Sequence, residues 1–369
     1  MSRMIVYPLG NADCTLIELD NGQHLIFDYA DSRDATDLTD RRIDLATAVR
    51  ADLDGRDTCD VVAFTHADAD HIRRASEFFH LLHHRAYQGN GRIKIKELWV
   101  PSALITEPNL KDDARLLQAE ARYRLREGSG IRVFSSPNHL SDWFKREGIS
   151  PASRAHLISN AGTVVPSFTK ALNGVEFFVH SPFAVRQDKN TVVDRNNSSL
   201  VLQVTFVSGG KETRVILAGD VTHEVLDDIV TVTRMHKRDE RLEWDIIKVP
   251  HHCSYLSLSA EKGSTITAPD ANIAWLYDTQ AHTGAHLISS SNPIPTNDDD
   301  VQPPHPQAAA YYRACVTPKN GQFLVTMENP TESHPERLII TMDRFGATLK
   351  KVLAAGSSFI TSRSAPRAG

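Results

Sequence analysis

Thr65-His66-Ala67-Asp68-Ala69-Asp70-His71 places two imidazoles and two carboxylates within one short turn. Imidazole suits zinc, manganese and iron, and carboxylates are hard donors that can bridge ions. One ion cannot easily take all four side chains from so short a segment, whereas two adjacent ions can. An ordinary helix cap needs only one acidic residue, so capping does not account for the pattern. Three further segments bring ligand-type residues to the ends of apolar runs. Arg214–Ala218 runs into Gly219-Asp220, where the glycine permits close approach of the backbone. Asp245–Pro250 runs into His251-His252, and Val175–Val179 runs into His180. Each is weak alone, His180 most of all, but four runs ending in ligands point together to a metal centre.

Strands must deliver these residues. Met4–Leu9, Cys14–Leu19 and His24–Asp28 read as strands, with Asn21-Gly22 as a hairpin turn. Helical spacing over 40–54 precedes Asp60–Thr65, a continuous apolar run expected of a strand covered on both faces. The stretch from 72 to 160 reads as mainly helical, with an amphipathic helix at Leu116–Arg126 and a short strand at Glu97–Val100. A second strand series begins near Val164. It comprises Val175–His180, Leu200–Val207, Val215–Ala218, Ile246–Val249, Ile273–Tyr277, Gln322–Met327 and Arg337–Met342. Residues 285–306 read as a loop. The pattern predicts an α/β protein of two packed β layers with helices outside, built from two similar halves. The expected organisation is one domain over 1–355, a mainly helical insertion at about 83–160, and a disordered tail at 356–369.

Composition narrows the function classes. Against 41 Lys and Arg stand 46 Asp and Glu, a net charge of −5, which excludes a uniformly basic nucleic-acid binder. There is no apolar run of about 18 residues, so no membrane partner is expected. The start of the chain lacks a signal-type apolar stretch. Cysteines at 14, 59, 253 and 315 have no paired spacing, which suggests free thiols and a cytoplasmic location. No P-loop, dinucleotide-binding glycine set or serine nucleophile elbow is present.

In order and spacing, Asp28, His66-x-Asp68-x-Asp70-His71, His180, Gly219-Asp220 and His251-His252 resemble the motifs of the metallo-β-lactamase superfamily. The closest likeness is to the hydrolase domain of competence-type DNA-uptake proteins (ComEC-like), where Asp replaces the middle His as Asp68 does here. Asn196-Asn-Ser-Ser199-Leu-Val-Leu and Lys248-Val-Pro-His251-His252-Cys253-Ser254 resemble that group's segments, as do Pro304-His305-Pro306 and Asn320-Gly321. The phosphorylcholine esterase branch carries a similar first motif. Cys253 and Arg73-Arg74 stand where glycines are usual. The arginine pair would favour anionic substrates or form a solvated helix face.

The resemblance implies a four-layer αββα metallo-β-lactamase sandwich and two divalent ions, zinc or manganese. His66, Asp68 and His180 would hold the first ion; Asp70, His71 and His252 the second; Asp220 would bridge them. Spacing leaves open whether His251 or His252 is the ligand, the other contacting phosphate or protonating the leaving group. Asp70 and His251 are thus the expected catalytic pair. Asp28 would orient ligands, and Asn196, Ser199, Ser254 and His305 would support the site or approach substrate. Ions about 3.5–4 Å apart acidify a bridging water from about 15.7 toward 7 and so provide hydroxide. The expected function is a phosphodiesterase or nuclease acting on DNA, with Arg85, Arg92, Lys94 and Lys96 contacting phosphate. Alternatives are a hydrolase of small phosphodiesters, cyclic nucleotides or lactones, and a non-catalytic binding module. His282, His286 and Ser289–Ser291 read as a polar loop, and Cys253 as a packing residue.

Overall fold

Val61 and Ala63 face one apolar cluster while Val62 and Phe64 face another, so this strand is buried on both sides. That is possible only between layers. In the computed structural model, which describes residues 1–89, 91–189, 194–297 and 301–350, two sheets stack face to face. The expected tail at 356–369 lies outside the described residues.

The first sheet runs in the order Gly346–Lys350, Leu338–Asp343, Ser2–Val6, Cys14–Glu18, His24–Tyr29, Thr58–Ala63, Ile93–Pro101, Ile131–Phe134, Ile158–Ser159. The second runs Gln322–Val325, Ala281–Ser289, Trp244–Lys248, Lys211–Ala218, Val201–Ser208, Val175–Ser181. Each half of the chain repeats one pairing scheme. In the first, three antiparallel strands from Ser2 to Tyr29 are followed by parallel strands at Thr58–Ala63, Ile93–Pro101 and Ile131–Phe134. In the second, three antiparallel strands from Val175 to Ala218 are followed by parallel strands at Trp244–Lys248, Ala281–Ser289 and Gln322–Val325. The closing hairpin Leu338–Lys350 returns to the first sheet beside Ser2–Val6.

Three apolar clusters separate four layers. Leu45, Leu117, Leu125 and Trp143 pack helices on the outer face of the first sheet. Phe27, Trp99, Phe177, Leu202 and Leu217 fill the space between sheets. Val225, Ile229, Ile273 and Tyr312 pack helices on the second sheet. The fold is therefore the expected α/β, αββα sandwich.

Three expectations change. Segment 83–160 contributes the strands Ile93–Pro101, Ile131–Phe134 and Ile158–Ser159 as well as helices, so it widens the first sheet rather than standing apart as a helical insertion. Ile273–Tyr277 is helical: Ile273, Leu276 and Tyr277 are buried at helix spacing, a pattern that a short apolar run does not distinguish from a strand. The strand sits at Ala281–Ser289 and takes in the first residues of the expected 285–306 loop.

Trp99 is the hub between the sheets, its ring edge-on to Phe27, Phe134, Phe168 and Phe177. Its indole N–H is buried without a hydrogen-bond partner. Trp99→Ala is expected to cost about 3–5 kcal/mol in urea unfolding. Trp99→Phe should cost clearly less, because it removes the unmatched donor along with part of the ring.

Candidate metal centre

Open α/β sheets gather ligands at the carboxyl ends of their parallel strands. Here the His24–Tyr29 strand ends in Asp28, Thr58–Ala63 feeds Thr65–His71, Lys211–Ala218 feeds Gly219-Asp220, and Trp244–Lys248 feeds His251-His252. Asp28 is left-handed, with φ 56°. Its buried carboxylate accepts from the Thr65 backbone N–H at 2.7 Å, the Thr65 hydroxyl at 2.8 Å and His71 Nδ1 at 2.8 Å. Gly219 is required by crowding, since a Cβ there would lie 2.8 Å from the Thr65 side chain and 3.1 Å from Ser199 Cβ.

With Nδ1 tied to Asp28, His71 turns Nε2 toward Asp220 Oδ1, 3.1 Å away. His252 donates Nδ1–H to the Ser290 carbonyl at 2.7 Å, which leaves Nε2 as a lone pair 3.2 Å from Asp70 Oδ2 and 3.5 Å from Asp220 Oδ2. The His66 and His71 rings lie 4.0 Å apart between centroids. Two groups have ligand atoms mutually within 4.8 Å: Asp13, His71, Asp220 and His252, and His66, Asp70 and His71. His66 Nε2, His71 Nε2, Asp220 Oδ1 and Asp13 Oδ1 are buried and lack hydrogen-bond partners. Each such group costs about 1–3 kcal/mol if left unmatched, and converging lone pairs are matched by cations. The donor set fits divalent metal.

Electrostatics agree. Burial opposes charge on His71, yet Asp220 and Asp28 prevail and raise its pKa well above the ordinary value. Burial likewise opposes charge on His252, and Asp220 with Asp70 outweighs it. For Asp70 and Asp220, burial acts upward, but the neighbouring histidines hold both carboxyls low. Protons and cations thus compete for one place.

Of the expected ligands, His66, Asp70, His71, Asp220 and His252 converge. His180 does not. Val175, Phe177 and Val179 point between the sheets, so strand alternation turns His180 to the opposite face. There it donates Nε2–H to the Arg241 carbonyl at 2.9 Å and stacks edge-on against Phe178, with burial lowering its pKa to about 4. Asp68 is half-exposed; its Oδ2 lies 3.5 Å from His66 Nε2, and its Oδ1 pairs with Arg195, which also grips Glu107. His251 sits partly buried at the mouth, with its pKa lowered by burial.

The supporting residues divide. Asn196 and Ser199 flank a short turn whose next residue, Leu200, donates to the Thr65 carbonyl at 3.0 Å. Ser254 caps the Tyr255–Ser257 turn. His305, expected near substrate, is buried: its backbone N–H donates to the Cys253 carbonyl at 3.1 Å and its ring packs on Tyr255. It buttresses the His251–Ser254 loop. Arg92, Lys94 and Lys96 sit toward the amino-terminal end of the sheet, away from the centre, where Lys94 pairs with Asp57 and Lys96 with Asp60 at 2.7 Å each. The expected phosphate contacts are therefore on the wrong edge. Asp13 was not anticipated, because a lone Asp before a strand carries no spacing signal; the same holds for Arg195.

No family model matches the chain, and no curated protein matches it. Among solved structures, it is similar to unliganded yeast PDE1, with 12% identity, 88% of this chain and 98% of that chain covered, and a TM-score of 0.43. A diphosphatase from the PhnP family aligns at 9% identity over 78% of this chain and 86% of its own, with a TM-score of 0.33. The metallo-β-lactamase GOB-18 from Elizabethkingia meningoseptica aligns at 12% identity over 73% and 83%, with a TM-score of 0.31.

His71→Ala should abolish tight metal binding measured by elemental analysis after gel filtration, whereas His180→Gln, which keeps a donor for the Arg241 carbonyl, should retain full metal content. A pH dependence follows for chelator-treated protein. A raised histidine pKa stabilises the fold fully below the unfolded value, near 6.5, and that stability is lost as pH rises through the raised value. The lowered pKa values of His24, His66, His180, His251 and His286 add the opposite slope as pH rises through the unfolded value, and that slope fades only about a unit above it. The unfolding midpoint of the stripped protein should therefore fall as pH is raised above about 7.5, and added metal should reverse the trend.

Proposed function

We propose that this chain is a metal-dependent phosphodiester hydrolase acting on a small anionic substrate. The observation that carries the reading is the convergence of unpartnered lone pairs from His66, His71 and Asp220 at the strand ends, beside Asp70 and His252. Two divalent cations, zinc or manganese, bound there would lower the pKa of water and neutralise charge developing on phosphoryl oxygens.

The chain's own residues fix polarity and access. Asp13 is matched by Lys248 and Asp68 by Arg195, so Asp28, Asp70 and Asp220 are the carboxylates left to offset the cations. The centre stays net positive, which favours an anion over a neutral lactam or lactone. The half-exposed Asp68 and Asp70 mark the open side. His251, neutral near pH 7 because burial lowers its pKa, offers a hydrogen bond to the phosphoryl group or leaving oxygen. Asp70 offers a ligand atom on the same side, its Oδ2 3.2 Å from His252 Nε2.

A small substrate fits better than DNA, because Lys94 and Lys96 are paired away from the centre and the net charge is −5. Four buried, unpaired cysteines suit a reducing compartment, in keeping with a cytoplasmic enzyme. Among the described residues no helix is long and apolar enough to cross a membrane.

Protein stripped by chelator and reloaded with zinc or manganese should hydrolyse bis(p-nitrophenyl) phosphate. Oligonucleotides, single- or double-stranded, should be cleaved at least about tenfold more slowly. Asp220→Asn should reduce turnover by roughly a hundredfold or more. Hydrolysis of a chromogenic lactam without phosphodiester turnover would overturn the proposal.

A further inference from the structure

Lys248 and Asp13 are both buried, and their side chains meet beneath the cluster of histidines and carboxylates. Lys248 Nζ lies 2.6 Å from Asp13 Oδ2 and 3.4 Å from the Ala218 carbonyl. It is the last residue of the Trp244–Lys248 strand, three residues before His251. Asp13 is held by its backbone as well: its N–H donates to the Asp70 carbonyl at 2.9 Å, and its carbonyl accepts from Ala30 at 3.1 Å. One carboxylate oxygen is thus fixed by the ammonium. The other, Oδ1, is buried without a hydrogen-bond partner, and the carboxylate offers an atom within 4.8 Å of ligand atoms from His71, Asp220 and His252.

We propose that Asp13 is a metal ligand of the buried half of the centre, with Lys248 as the residue that positions it. Resting on the metal-centre reading above, this assigns the deep cation to Asp13, His71, Asp220 and His252. His180, on the opposite face of its strand, has no part in it. Lys248 has a second consequence. A fixed ammonium beside Asp13 holds one buried carboxylate neutral overall, so the fold tolerates the acidic cluster when no divalent cation is bound.

Asp13→Asn alone would strand a buried ammonium and endanger folding. The decisive comparison is therefore Lys248→Met against Lys248→Met/Asp13→Asn, both lacking the ammonium. Bound manganese or zinc is counted per chain, and dissociation constants are measured by titration calorimetry. Lys248→Met should keep the wild-type number of ions and gain more in unfolding midpoint on metal addition than wild type does. The double variant should lose one ion per chain or bind it at least tenfold more weakly. Asp13→Glu, which preserves charge and moves the oxygens by one methylene, supplies a spectroscopic arm: the visible bands of Co²⁺-loaded protein should shift from those of wild type. Equal stoichiometry and affinity in the two Lys248 variants, with unchanged Co²⁺ bands in Asp13→Glu, would overturn the assignment. Failure of wild type itself to bind any divalent ion would instead remove the metal-centre reading, and the assignment with it.

Discussion

One buried carboxylate organises the site. Asp28 accepts three hydrogen bonds, two from Thr65 and one from His71, and so ties the strand that ends at Tyr29 to the loop that follows Ala63. Its effect spreads through Thr65, whose carbonyl receives Leu200, while the Leu200 carbonyl receives Gly219. Both sheets are thereby locked at one rim, and Asp220 follows Gly219 directly. Loosening Asp28 would free the His71 ring to turn, and the lone pair now aimed at Asp220 would lose its direction.

Backbone strain accompanies this precision. His251, His252 and Cys253 are consecutive left-handed residues, with φ of 52°, 51° and 67°. For side-chain-bearing residues such a conformation costs roughly 1–2 kcal/mol each. Hydrogen bonds offset it: Ser254 N–H to the His251 carbonyl at 2.8 Å, His305 N–H to the Cys253 carbonyl, and His252 to Ser290. Arg74 is left-handed too, at φ 59°. These turns form without glycine's freedom, held by the packing of a fully buried thiol at 253 and the Asp113 contact to the Arg74 backbone N–H.

Much of the layered architecture was legible because its signals are local. Continuous apolar strands, a hairpin turn at Asn21-Gly22 and ligand-type residues at strand exits each occupy a few consecutive positions. The choice between His251 and His252 was not legible, since it depends on the carbonyl of Ser290, distant in sequence. His180 misled because a strand end has two faces, and only pairing with Val201–Ser208 decides which one meets the centre. Ile273–Tyr277 misled because five apolar-rich residues satisfy either period. Asp13 and Arg195 escaped notice because their partners, Lys248 and Asp68, lie 235 and 127 residues away.

Those separations bear on how the molecule comes into being. The repeated pairing scheme lets each half of the chain form its own hairpins early, from neighbours in sequence. The centre, however, needs both halves: Asp70 meets His252 across 182 residues, and Asp13 meets Lys248 across 235. Contacts of such long range close late, after the entropy of the intervening chain has been lost. A partly synthesised chain therefore holds isolated acidic and imidazole side chains and no assembled cage. The cluster assembles only when the two halves dock.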